Sequence, residues 1–343
     1  MKRWLFVLII LLNLLTRPER CGRYTVTFWG AFDAMITITA NAESQQQFDV
    51  LTQAAITRFT ELSHDYDRFS DPGTIVNLAA LNLLAGQGEV PVSKALFDLL
   101  SFAQQGAQRT DFLVMPTFGA VTELWRKQIA DAQNGAGLPP DSGALQRAAQ
   151  NTGPALLRLN KSTQTAALLS KNALLDVGAV AKGYATELVG RELAAQGLTR
   201  LAISSGGNIR VFSPPVGKAC WRIGVQNPDA ALLRDGNTLG TLFINDMAVA
   251  TSGDYQRFFW YEAQRYHHLI EPQTLYPARY YRSVTVVCGD AGEADLFSTA
   301  LFLTDWEKSV ALAEREGLAA LWVMPDGSVR TNARMDKLLN TKR

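Results

Sequence analysis

The sequence predicts an α+β fold of largely antiparallel sheets flanked by helices, arranged as two intimately packed lobes. Strand-like segments occur in runs rather than alternating singly with helices. After its first twenty-odd residues the chain opens as strand, strand, helix, and near its middle a hairpin, a glycine-bounded turn, a helix and a strand follow one another. The chain has 343 residues; single cores stop growing at about 250–300 residues, hence the two lobes.

The opening stretch "YTVTFWGAFDAMITITA" (24–40) reads as two strands broken at Gly30. In "SQQQFDVLTQAAITRFTELSHDYDRF", Phe48, Leu51, Ala55, Phe59 and Leu62 fall at helical spacing. "SDPG" (70–73) is a turn, "SKALFDLLSFAQQGAQRT" a second amphipathic helix, and "NGAGLPPDSG" (134–143) a polar Gly/Pro-rich loop suited to a hinge or lid. "ALLRLN" and "TAALLS" form a hairpin, "LLDVGAVAKG" leads into a helix from about Tyr184 to Gln196 stopped by Gly197, and "LAISS" is a strand. Short strands continue through "WRIGVQNP", "GTLFIND", "MAVATSGDYQRFFW", "RYHHLIEP" and "SVTVVCGD". Two helices, "AGEADLFSTALFL" and "WEKSVALAEREG", precede a hairpin turning on Asp326-Gly327.

Residues 1–22 form a separate unit. Lys2 and Arg3 precede the apolar run "WLFVLIILLNLL", which has the length of a signal h-region and falls short of the roughly 18 residues of a spanning helix. Both a signal peptide and an uncleaved N-terminal membrane anchor fit, and residues 23–338 are the folded domain. A net charge of +1, with 47% hydrophobic and 19% charged residues, supplies a large core and argues against nucleic acid as a partner. Cys21, Cys220 and Cys288 lack metal-type spacing and make no disulfide framework.

Four stretches carry chemistry. In "GAVAKG" (178–183) glycines allow close approach of backbone amides, a helix start follows and Lys182 adds positive charge, so an anion such as a phosphate fits; a plain turn with a solvated lysine fits too. "SSGGN" (204–208) is either a bend or a place for a flat ligand. "EADLFSTA" (293–300) sets Asp295 and Thr299 four apart on one helix face, hard oxygen donors of the kind Mg²⁺ takes, with helix capping and simple burial as the alternative. In "YHHLIEPQTLYP" (266–277) two adjacent strand histidines point to opposite faces, so at most one of them, His268, serves a site as a base or phosphate ligand.

Taken together and in order, these stretches resemble the ApbE family of flavin transferases. "LLDVGAVAKGYATELVG" with the later "SSGGN" is similar to the family's D-x-G-x-x-A-K-G-Y-A segment and G-G-[DN] turn, "AVATSGDYQRF" to A-T-S-G-[DN]-Y, "HHLIEPQTLYPA" to H-I-x-D-P-x-T-G-x-P, and "SVTVVCGDAGEADLFSTALFL" to S-V-T-V through A-D-x-x-S-T-A. The likeness covers roughly residues 24–332. It implies an ApbE-like (T-fold-like) enzyme exported to the periplasmic side of the bacterial inner membrane. Such an enzyme takes FAD as substrate with Mg²⁺, transfers FMN through its phosphate to a threonine of an acceptor subunit in a membrane redox complex, and releases AMP. By the same resemblance the metal ligands are Asp295, Thr299 and the carbonyl of Ala179. The FAD contacts are Asp176, Lys182, Gly206, Gly207, Asn208, Ser252, Gly253, Asp254 and His268, and the acceptor hydroxyl is activated by His268 or Asp295. Two departures stand out. Glu271-Pro272-Gln273-Thr274-Leu275 replaces D-P-x-T-G, which implies altered local geometry, and Met115-Pro116-Thr117 replaces D-P-T. A Mg²⁺-dependent FAD pyrophosphatase and a non-catalytic flavin-binding protein are the alternative readings.

Overall fold

The computed structural model describes residues 21–70, 76–230 and 237–340. The predicted export segment before Cys21 and most of the "SDPG" turn lie outside them. The strands in chain order are β1 (Gly22–Ala31), β2 (Ala34–Ala42), β3 (Val90–Pro91), β4 (Leu157–Asn160), β5 (Thr165–Leu168), β6 (Leu201–Ser205), β7 (Asn208–Val211) and β8 (Trp221–Gln226). They continue as β9 (Thr238–Ile244), β10 (Met247–Gly253), β11 (Phe258–Tyr261), β12 (Gln264–His267), β13 (Ser283–Cys288), β14 (Ala319–Val323), β15 (Val329–Thr331) and β16 (Leu339–Asn340). Eight of them form one antiparallel sheet in the order β1-β2-β6-β7-β10-β13-β14-β15. The α+β expectation thus holds.

Alternation sets the two faces of this sheet. On β2, Ile36, Ile38 and Ala40 are fully buried beneath a helical layer that includes Gln45–Asp65, Ala181–Ala195 and Ala291–Phe302. On the other face Val211, Val249, Val287 and Leu321 pack with Trp221, Leu242 and Met335 of a layer containing the small β16-β9-β8 sheet. The Ala291–Phe302 helix is buried at every position but Glu293, and Ala291 and Ala294 rest on Ala248 and Ala250 of β10, so small side chains bring helix and strand close. A separate core joins Phe118, Val121, Trp125 and Leu145 to Phe259 and Ile270.

Several local expectations need correction. The first hairpin turns at Phe32-Asp33, both at positive φ, while Gly30 (φ 109) sits at a bulge between Phe28 and Ala31. Ahead of the central helix, Leu174–Val177 is tied by Gly119 N–H to Leu174 O (3.1 Å) and Asp176 N–H to Pro116 O (2.7 Å). The central helix begins at Ala181, three residues before the predicted start. Two further helices, Gly119–Ala132 and Ser142–Ala149, frame the polar loop, and Asp141 caps the second through Ala144 N–H (2.8 Å). Val121, Trp125, Ile129 and Ala132 carry the spacing that marks the first of these.

Candidate active site

The site forms where the Ala181–Ala195 helix starts. Val180 at its N-cap offers no side-chain bond, so the amides of the first turn need partners from elsewhere. Gly183 N–H donates to Asp295 Oδ2 at 3.0 Å, and Lys182 Nζ lies 3.9 Å from the same oxygen. Asp295 reaches this point from the neighbouring Ala291–Phe302 helix, so the anion at the helix start is the protein's own carboxylate. Burial pushes the Asp295 carboxyl up from its ordinary pKa, against the downward pull of Lys182, the Gly183 amide and nearby Asn208. Gly183 is glycine for a reason of packing. A methyl there would meet Ala291 O at 2.2 Å and Asp295 Cβ at 2.6 Å.

One turn beyond Asp295, Thr299 Oγ1 shares a hydrogen bond with Ser252 Oγ (3.1 Å), and Ser252 Oγ also pairs with Ser298 Oγ (2.9 Å). Asn208 is buried beside Gly183, and its amide oxygen has no hydrogen-bond partner. Gly206 and Gly207 are the two central residues of the β6–β7 hairpin, at φ 55 and 92, a two-residue turn that requires positive φ at both. A methyl on Gly206 would lie 3.9 Å from Lys182 Cδ and Cε, so this turn borders the lysine. Lys182, Gly206, Gly207, Asn208, Ser252, Asp295 and Thr299 therefore come together from four elements, with Ala179 in the turn just ahead of the helix.

The remaining candidates are more committed. Asp176 accepts from Gly178 N–H (2.9 Å) and Thr122 Oγ1 (2.7 Å) and faces Arg68 Nη2 at 3.4 Å. Burial works to raise its pKa, but Arg68, that amide and that hydroxyl together hold it below the ordinary value. Asp254, beside Gly253 at the end of β10, pairs with Arg265 (2.9 Å) and Arg282 (3.1 Å). His267 is buried, with Nε2 bonded to Ala278 O (2.7 Å) and Nδ1 accepting from Leu269 N–H (3.2 Å), and its pKa is pushed down to about 4 by burial. His268 feels the charges of Asp176 and Lys182 and is held down at about 3, chiefly by burial, then by His267 and Arg257. Its Nδ1 bonds the carbonyl of Arg257 at 3.3 Å, so Nδ1 carries the proton and Nε2 is the acceptor.

Leu275 of the "EPQTL" departure adopts φ 64, the left-handed conformation that glycine takes freely, at the position where the resemblance implies glycine. Its carbonyl accepts from Trp125 Nε1 at 2.9 Å, and the Glu271 carboxylate accepts from Thr274 Oγ1 and Tyr280 OH, both at 3.0 Å. Met115 packs against the Trp125 core where the resemblance implies an acid.

Sequence reasoning left out the Gly183 amide as a partner of Asp295, the hydroxyl of Ser298, and Arg68 with Thr122 around Asp176. The adjacent Ser298-Thr299 pair was the visible signal for the second; nothing local marks the others.

Among the described residues no group of three or more His, Cys, Asp or Glu side chains converges on one point. Asp295, the hydroxyls of Thr299 and Ser252, and the unpartnered Asn208 amide oxygen make a set of hard oxygen donors with a single carboxylate. That set fits Mg²⁺, which takes one or two carboxylates and completes its shell with other oxygens and substrate phosphates.

The model of the ApbE family matches residues 32–322. The FAD:protein FMN transferase of Treponema pallidum (strain Nichols) is 32% identical over 271 residues, covering 75% of this chain and 73% of its own. That of Klebsiella pneumoniae (strain 342) is 32% identical over 247 residues, covering 71% and 73%. The crystal structure of the ApbE protein of Thermotoga maritima superposes with a TM-score of 0.80 at 25% identity, covering 93% of this chain and 100% of that one.

Proposed function

The chain belongs to the ApbE family and is an enzyme, and from that premise we propose that it transfers FMN from FAD to a threonine hydroxyl of an acceptor protein, with AMP released. Relatives named FAD:protein FMN transferase support the flavin transfer. The observation that carries the finer reading is the convergence of Asp295, Thr299, Ser252 and Lys182 at the start of one helix. In the reaction the threonine oxygen bonds to the phosphorus of the FMN half, the bond from that phosphorus to the AMP oxygen breaks, and the hydroxyl proton goes to a base. Such displacements need alignment and charge neutralisation more than covalent help from the protein.

Each residue has a share in this. Lys182 places positive charge beside the pyrophosphate, and the Gly206-Gly207 turn leaves room next to it. Asp295, Thr299, Ser252 and the Ala179 carbonyl would hold Mg²⁺, and the ion, when bound, would neutralise phosphate charge. Neutral His268 offers Nε2 to the acceptor hydroxyl, and the phosphate charge nearby would raise its pKa toward the range of a working base. Asp176 fixes the turn through Gly178 and Asp254 anchors the end of β10 through its arginines, roles that place the flavin-side backbone. We also place the enzyme on the periplasmic side of the bacterial inner membrane, held or exported through residues 1–22, with a subunit of a membrane redox complex as acceptor; Lys2, Arg3 and the apolar run support this.

The test is incubation with FAD, Mg²⁺ and a polypeptide bearing the acceptor threonine, following AMP and covalent flavin. AMP with labelled acceptor is expected; AMP without label would indicate hydrolysis, and intact bound FAD a binding protein. Asp295→Ala should lose Mg²⁺-dependent turnover by about 100-fold or more while keeping its fold, since positioned charge stabilisation is worth that much. Unchanged turnover would remove the ion assignment.

A further inference from the structure

The two helices that build the site cap each other. Asp295, on the Ala291–Phe302 helix, accepts from Gly183 N–H in the first turn of the Ala181–Ala195 helix. In return Glu187, one turn along that helix, accepts from Ala291 N–H, the first residue of the other, through Oε2 at 2.9 Å. The same Oε2 takes Arg210 Nε at 2.8 Å and Oε1 takes Arg191 Nε at 2.6 Å. Glu187 and Arg210 are 5% and 4% exposed, so water is no substitute partner for the Ala291 amide. Asp290 holds the next two amides, Gly292 N–H at 2.8 Å and Glu293 N–H at 3.1 Å. Asp295 and Thr299 follow one and two turns along the helix whose start is fixed in this way.

We propose that Glu187 is a positioning residue for the ion site: by binding the Ala291 amide it sets where Asp295 and Thr299 stand relative to Lys182 and Gly183. This rests on the assignment of Asp295 as an ion ligand. A residue with a merely structural role would lower stability when changed and leave the ion affinity of the folded protein alone. A positioning residue changes that affinity, because groups that orient ligands typically cost about 10–100-fold in metal affinity when lost.

The test measures Mn²⁺ binding to full-length protein by electron paramagnetic resonance and calorimetry, with thermal unfolding alongside. Removing Glu187 alone would leave the buried Arg210 with Asp246 as its one carboxylate partner among the described residues, so both changes are made in an Arg210→Met background. Glu187→Gln/Arg210→Met keeps an acceptor for the Ala291 amide, and its Mn²⁺ Kd should stay within about twofold of the parent, whereas Glu187→Leu/Arg210→Met should bind roughly tenfold more weakly. Should the leucine variant not fold, Ala291→Pro removes the same N–H. Asp290, at φ −138 and ψ 134, already has the backbone a residue before proline needs, and the first helical position accepts proline. The same weakening is expected. A parent that binds no Mn²⁺, or an Asp295→Ala variant that binds as tightly as the parent, would overturn the ion assignment. If parent binding is lost in Asp295→Ala but the leucine and glutamine variants bind alike, the ion assignment stands and the role of Glu187 is refuted.

Discussion

Gly183 shows how a residue can be read correctly for its type and incompletely for its reason. From the sequence it is a glycine that brings backbone amides near a ligand; in the fold its missing methyl lets two helices touch, and its amide goes to Asp295. Gly183→Ala gains at most about 1 kcal/mol in helix propensity and meets an overpacking cost of about 1–3 kcal/mol, so it should lower stability in urea unfolding and displace Asp295 with a loss of turnover. A more stable, fully active variant would contradict this contact. The histidine pair makes a second case: His267 ends β12 with its ring buried, while His268, expected on the strand, lies just past it and is the one beside the site. Their native pKa values, about 4 for His267 and about 3 for His268, lie below the unfolded value of about 6.5. Between these limits the unfolded chain binds more protons, so stability is lost as pH falls below about 6.5 and continues to fall toward pH 4. Urea unfolding should therefore give a lower stability at pH 5 than at pH 7, and His267→Gln should narrow the gap; an unchanged gap would mean that the imidazole is not buried neutral.

At the level of elements, the long periodic segments were legible and the joints were not. The Gln45–Asp65 and Lys94–Arg109 helices and the β4–β5 and β14–β15 hairpins announce themselves through spacing and turn residues. The Gly119–Ala132 helix escaped because it begins on glycine after a proline-containing turn. At Leu275 a bulky residue stands where the resemblance implies glycine, and the Trp125 bond to its carbonyl and the Glu271 bonds to Thr274 and Tyr280 hold it in the left-handed region. Comparing two truncations isolates that backbone cost. Leu275→Gly and Leu275→Ala lose similar packing, so the glycine variant should be the more stable by about 1 kcal/mol in denaturant unfolding. Alanine equal to or better than glycine would show that position 275 is not strained.

Across the whole molecule one sheet serves two cores, the helical layer on one face and the Met335 layer on the other. Met335→Ala, fully buried and far from the chemistry in sequence, should cost about 2–5 kcal/mol and still unfold in one transition by circular dichroism and tryptophan fluorescence. Separate transitions would mean that the two faces unfold independently. This is also the scale at which sequence says least: the choice of Asp254 for Arg282 joins the ends of β10 and β13, segments whose nearness only the sheet order creates.

The pairing of Lys182 and Gly183 with Asp295 has a consequence in time. The partners are contributed by helices far apart along the chain, and β6, β7, β10 and β13 must be in register between them. A chain still being synthesised has not yet brought these partners together, so a ligand of this site is bound only after folding is essentially complete. Saturating flavin should then slow unfolding and raise the melting temperature without hastening the early steps of folding, the kinetic mark of a ligand that recognises only the finished protein.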